Sequence, residues 1–173
     1  MLVFAGLEGD SAPDRAAKLK ALQAYYKESS PRPLNMLGPT DMATSNGNRG
    51  KKLVVNSHGN REVFAGFDAE SFFAQLESKG FAEGSFDAVY LMACLVGEQA
   101  QDGSIYDGFA RDLFSVFRSN GITAKVYAPR GLLTYTIKQV TKDGQQYPEV
   151  VDMYIETPER RYPLSEGVLL VHV

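Results

Sequence analysis

Short apolar runs alternate with stretches of helical periodicity, and this alternation limits what the chain can fold into more than any other feature. The runs span residues 2–7, 51–56, 86–93 and 122–128. Each is too short for a buried helix, and Val54 and Val55 at the centre of the second favour a strand. Between them, Ala16, Leu19, Leu22 and Tyr26 recur at helical spacing behind Ser11 and Pro13, a capping hydroxyl and a first-turn proline. Phe72, Phe73 and Leu76 do the same behind Asp68, with Gly80 as the stop. Phe109, Leu113, Val116 and Phe117 share one face of a third helix over 106–119, halted by Asn120 and Gly121. The order β-α-β-α-β-α-β implies a mostly parallel sheet with helices on its faces, an α/β fold. The near-continuous apolar run at 86–93 is the expected central strand.

After Gly131 the pattern changes. Residues 132–141 and 147–156 read as two strands around Lys142-Asp143-Gly144-Gln145, a hairpin signal. Residues 158–163 read as a loop and 167–173 as a last strand. Residues 31–50, rich in Pro, Gly, Asn, Ser and Thr, read as one long loop.

At 173 residues the chain is expected to form a single domain, 1–173. A net charge of −3 argues against a non-specific nucleic-acid binder, which needs a basic face. Cys94 is the only cysteine, so neither an internal disulfide nor a multi-cysteine zinc site is possible. No run approaches the roughly 18 apolar residues of a membrane helix, and the N-terminus lacks the basic start of a secretory leader. A soluble, cytoplasmically folded protein is expected; a secreted effector would have the same composition.

Ligands of an open parallel sheet bind beyond the carboxyl ends of the strands. Two successive strands end there in reactive side chains: Leu53-Val54-Val55-Asn56-Ser57-His58-Gly59, and Val89-Tyr90-Leu91-Met92-Ala93-Cys94. One crossover helix separates them, so the strands can be parallel neighbours, with Cys94 and His58 at one edge. Singly, such a cysteine is ordinarily a small buried hydrophobe and such a histidine an ordinary hydrogen-bonding residue. Together they suit thiol chemistry. A thiolate is the nucleophile, and an imidazole beside it assists proton transfer. Gly59 lets backbone come close to a substrate carbonyl, and its N–H together with that of Cys94 can form an oxyanion hole. Ser57 lacks the surroundings of a serine-hydrolase elbow, and His172 reads as structural.

These strand ends resemble the His-Gly and Ala/Gly-Cys strand ends of the clan CD cysteine peptidases, which include caspases, gingipains, clostripain and separase. The order that follows is similar to the autoprocessing cysteine protease domains of MARTX toxins and large clostridial glucosylating toxins. It runs from the helix segment Tyr106–Phe114, through Gly121-Ile122-Thr123-Ala124-Lys125-Val126, to the hairpin at Lys142-Asp143-Gly144. The resemblance covers about residues 50–156. It implies a caspase-like three-layer sandwich with a C-terminal β-hairpin flap, and a cysteine endopeptidase or autopeptidase acting on protein or peptide. Cys94 would be its nucleophile, His58 its general acid–base, and Gly59 would lie at the oxyanion. It requires no cofactor or metal, but inositol hexakisphosphate is a possible activator. Lys125, Arg130, Lys138, Lys142, Arg160 and Arg161 are the candidate bases for that phosphate, although acidic residues interrupt them and scattered surface charge explains them as well. Glu8 and Asp10 are the positional candidates for an acid orienting His58. A catalytically inactive binding module on the same fold, and a thiol acyl transferase such as a transamidase, remain open alternatives.

Overall fold

The computed structural model describes residues 1–47, 51–97 and 108–172. Within them the apolar runs form β1 (Leu2–Phe4), β3 (Lys52–Asn56), β4 (Ala88–Met92) and β5 (Lys125–Pro129). The periodic stretches form α1 (Ala12–Tyr26), α2 (Ala69–Glu77) and α3 (Phe109–Ser119). The expected caps act as read. Ser11 Oγ accepts from Asp14 N–H at the head of α1, and Asp68 accepts from Ser71 N–H at the head of α2. The expected helix start at Tyr106 and the terminal Val173 lie outside the described residues.

With β2 at Arg32–Pro33 and β9 at Val168–Val171, the central sheet has the order β2-β1-β3-β4-β5-β9. Five of these strands run parallel, and β9 closes the far edge antiparallel to β5. A second sheet, β6-β7-β8, is antiparallel. Its hairpin joins β6 (Leu132–Lys142) to β7 (Gln145–Glu156). Asp143 and Gly144 both take positive φ, 50° and 75°, as the tight two-residue turn requires.

Three expectations need correction. The stretch 31–50 is not a plain loop: β2 (Arg32–Pro33) pairs with β1, and two short 3-10 turns bracket buried Leu34, Leu37 and Met42. A two-residue edge strand leaves no periodicity to read, and proline is tolerated at an edge, where no ladder N–H is missed. The stretch 158–163 contains β8 (Arg161–Pro163), which pairs with β7. The last strand is preceded by a helical turn, α4 (Leu164–Gly167), and begins at Val168.

Side chains alternate across a strand, and the core divides accordingly. Val3, Leu53, Val55, Val89, Leu91 and Val126 face α2 and α3, where Phe72, Phe73, Phe109 and Phe117 complete one cluster. Leu2, Val54 and Met92 face the opposite way. They meet Leu22 and Tyr26 of α1, and Leu133, Ile155 and Tyr162 of the hairpin sheet. Helices therefore cover one face, and a helix with the hairpin sheet covers the other. No helix of the described residues is long and apolar enough to cross a membrane.

Candidate active site

The register between β3 and β4 positions the two reactive residues. Each β3 residue faces the β4 residue 36 positions later, from Lys52 opposite Ala88 to Asn56 opposite Met92. Ser57 N–H extends the ladder to Met92 O at 3.2 Å. His58 and Cys94 keep the same offset, two residues on. They also share the parity of Val54, Asn56, Tyr90 and Met92, which point toward α1 and the hairpin. Both consequently line one cavity of about 190 Å³, together with Asp10, Lys18, Asn56, Leu133 and Tyr135.

The chain turns sharply after each strand. Beyond Cys94, Leu95 adopts φ +57°, unusual for a branched side chain, and its N–H is held by Gly131 O at 3.0 Å. Such strain persists only where surrounding structure enforces it. Beyond His58, the segment folds back so that His58 O accepts from Ala65 N–H at 3.0 Å. Asn60 Oδ1 accepts from the N–H groups of Glu62 and Val63 inside that turn. Gly59 is sterically required here: a Cβ at this position would lie 2.8 Å from Val96 Cγ1 and 3.1 Å from Val63 O. Among the described residues, neither Gly59 N–H nor Cys94 N–H donates to a backbone acceptor.

Asp10 faces the histidine. Its Oδ1 stands 3.3 Å from His58 Nε2, an ion-pair distance once the ring is protonated, and its Oδ2 is 3.0 Å from Lys18 Nζ. Asp10 is 13% exposed and His58 57%, so the carboxylate sits back in the wall while the imidazole reaches solvent. Of the two acids considered from sequence, Asp10 is the one at the histidine.

The Cys94 thiol is half-buried. Cys94 Sγ donates to Leu133 O at 3.6 Å, and no hydrogen bond joins it to His58 among the described residues. Burial pushes the thiol above its ordinary value, and the hydrogen bond to Leu133 and, less, the Lys18 charge only partly offset this. Behind it, Asn56 Nδ2 donates to Met92 O at 2.8 Å and to Tyr135 Oη at 3.4 Å.

The other residues weighed from sequence do not join the His58–Cys94 pair. Ser57 is buried, and its Oγ donates to His58 O at 2.9 Å, so it is tied to backbone rather than poised for attack. His172 follows β9, whose direction carries it to the opposite sheet edge. Lys125 begins β5 at that same edge, and Lys138 and Lys142 lie along exposed β6. Arg161 pairs with Glu156, whereas Arg130 and Arg160 both pack on the Tyr162 ring, 4.4 and 4.2 Å from its centroid. Among the described residues, no three His, Cys, Asp or Glu side chains gather in a metal-binding group.

Lys18 and Tyr135 were not legible as site residues, because α1 and the hairpin bring them in from distant sequence. Asn56 left a weak signal: it is a buried polar residue that follows the apolar run Leu53-Val54-Val55.

No protein-family model, curated protein or solved structure matches this chain.

Proposed function

We propose that this chain is a cysteine peptidase of caspase-like arrangement, with Cys94 as nucleophile and His58 as general acid–base. The observation that carries the reading is the β3–β4 register, which opposes His58 and Cys94 in one cavity with Asp10 behind the imidazole. In the proposed reaction the thiol proton passes to His58 as Sγ bonds to the scissile carbonyl carbon. The oxyanion accepts from Gly59 N–H and Cys94 N–H. His58 returns the proton to the leaving amine as the C–N bond breaks. Water then attacks the thioester, releasing the acid and restoring the thiol. Asp10 stabilises the imidazolium formed in between.

The neutral thiol bonded to Leu133 O shapes this reading. Substrate has to displace the hairpin carbonyl before attack, so the peptidase rests in a low-reactivity state. The likeness to the toxin autoprocessing domains suggests the chain itself as one substrate and inositol hexakisphosphate as an activator. Arg130 and Arg160 are the bases that converge on one ring. The same half-buried thiol favours the second reading, a non-catalytic binding module in which Cys94 is only a packed side chain.

Incubation of the purified protein with a proteome-derived peptide library, with and without inositol hexakisphosphate, separates the two. The peptidase reading expects new peptide termini that vanish in Cys94→Ala. Termini that persist in Cys94→Ala, or none in either sample, would sink it.

A further inference from the structure

We infer that the cavity beside Cys94 selects a carboxamide side chain, asparagine or glutamine, on the residue whose carbonyl is attacked. This rests on the peptidase reading above.

The first observation is an unpartnered acceptor. Asn56 is 3% exposed and lines the cavity, and among the described residues its Oδ1 accepts no hydrogen bond. The amide cannot turn over to relieve this, because Met92 O, itself an acceptor, fixes Nδ2 at 2.8 Å. Buried polar groups are almost always paired, so a lone acceptor in a cavity wall calls for a donor from outside. This atom is itself sealed from solvent. An incoming donor must part the wall to reach it, and the unpaired acceptor is satisfied when it does.

The second observation is charge balance. Lys18 Nζ and Asp10 Oδ2 pair at 3.0 Å in the same wall. An arginine or lysine entering the cavity is repelled by Lys18 while it competes for Asp10, and an aspartate or glutamate is repelled by Asp10 while it competes for Lys18, so a charged guest must displace one member of the pair. A neutral guest escapes both penalties. A leucine also escapes them, but it leaves Asn56 Oδ1 unpaired and presents nothing to Lys18 or Tyr135. A carboxamide satisfies both sides. Its N–H donates to Asn56 Oδ1, and its oxygen accepts from Lys18 Nζ or Tyr135 Oη. A volume of about 190 Å³ is ample for either amide side chain.

Peptide libraries identical except for one fixed residue before the scissile bond (Asn, Gln, Leu, Arg or Asp) test this on the unmodified protein. Asn or Gln should exceed the other three by at least about tenfold in kcat/KM. In Lys18→Met the carboxylate of Asp10 loses its counter-charge, and the Arg-to-Asn ratio should rise severalfold. Cys94-dependent cleavage that favours Leu, Arg or Asp, or an Arg-to-Asn ratio unmoved by Lys18→Met, overturns the inference and leaves the peptidase reading standing. Cleavage of none of the five, with Cys94 unlabelled by peptidyl electrophiles, overturns that reading and the inference with it.

Discussion

One face of the six-stranded sheet meets α2 and α3 through a continuous aromatic cluster. The rings of Phe64, Phe72 and Phe109 lie 5.0–5.8 Å apart, and all three are fully buried. The other face meets α1 and the hairpin through a smaller cluster that holds Tyr26, Tyr90 and Tyr135 as well as aliphatic residues. There Tyr26 Oη donates to Met92 Sδ at 3.1 Å, and burial drives the Tyr26 phenol well above its ordinary value. The first face has no polar business and packs tightly. The second admits polar groups, and at its strand-end margin it opens into the Cys94 cavity. Strand parity decides which face each residue serves, so the aromatic core gathers on one side and the candidate site on the other.

This contrast predicts that substitutions on the two faces fail in different ways. On the cavity side, Cys94→Ala should reduce cleavage by roughly 10³-fold or more while leaving the thermal midpoint almost unmoved; a large loss of stability would place Cys94 in the structural class. On the helix side, Phe72→Ala should cost about 3–5 kcal/mol by leaving a cavity. It should lower the melting temperature by on the order of 10 °C, read by circular dichroism, with activity per folded molecule retained. Asp10→Asn should lower kcat by roughly 10- to 100-fold with little change in KM, since it removes stabilisation of a charge that forms only during reaction. An unchanged kcat would remove Asp10 from the site.

Gly59→Ala lies where the two faces meet, against Val96 and Ala93. It should cost about 1–3 kcal/mol through overpacking, measured by urea denaturation, and impair cleavage beyond the loss of folded protein. The smallest effect concerns the resting thiol. Because burial raises the Cys94 pKa, the thiolate fraction at neutral pH lies below that of a free cysteine. Iodoacetamide should react severalfold more slowly than with a free thiol near pH 7.5, and the rate should still be climbing above the ordinary thiol range, about 8.5. A rate that levels off below that range would mean the thiol is activated at rest.

The central elements were legible because their signals are local. A capped amphipathic helix or a β-branched run carries its own pattern, and the equal 36-residue offset of strand and reactive residue followed from chain length alone. The short pieces were not legible. Arg32–Pro33 and Arg161–Pro163 become strands only because a longer neighbour offers an edge. For the site, His58, Cys94 and Gly59 stand on the two strands whose ends define it. Asp10 was one of two equal candidates, and only the turn Leu7–Asp10, closed by Asp10 N–H to Leu7 O, brings its carboxylate to the imidazole. Lys18 and Tyr135 arrive through long-range packing of α1 and β6, which no local pattern encodes.

The most direct test of the account is labelling of the folded protein with a panel of peptidyl acyloxymethyl ketones, followed by peptide mapping. The account predicts a covalent adduct on Cys94 that is absent in Cys94→Ala and strongly reduced in His58→Ala. If no probe modifies Cys94 in the folded protein, while iodoacetamide modifies it readily after unfolding, then Cys94 is a packed core side chain and the peptidase reading is contradicted.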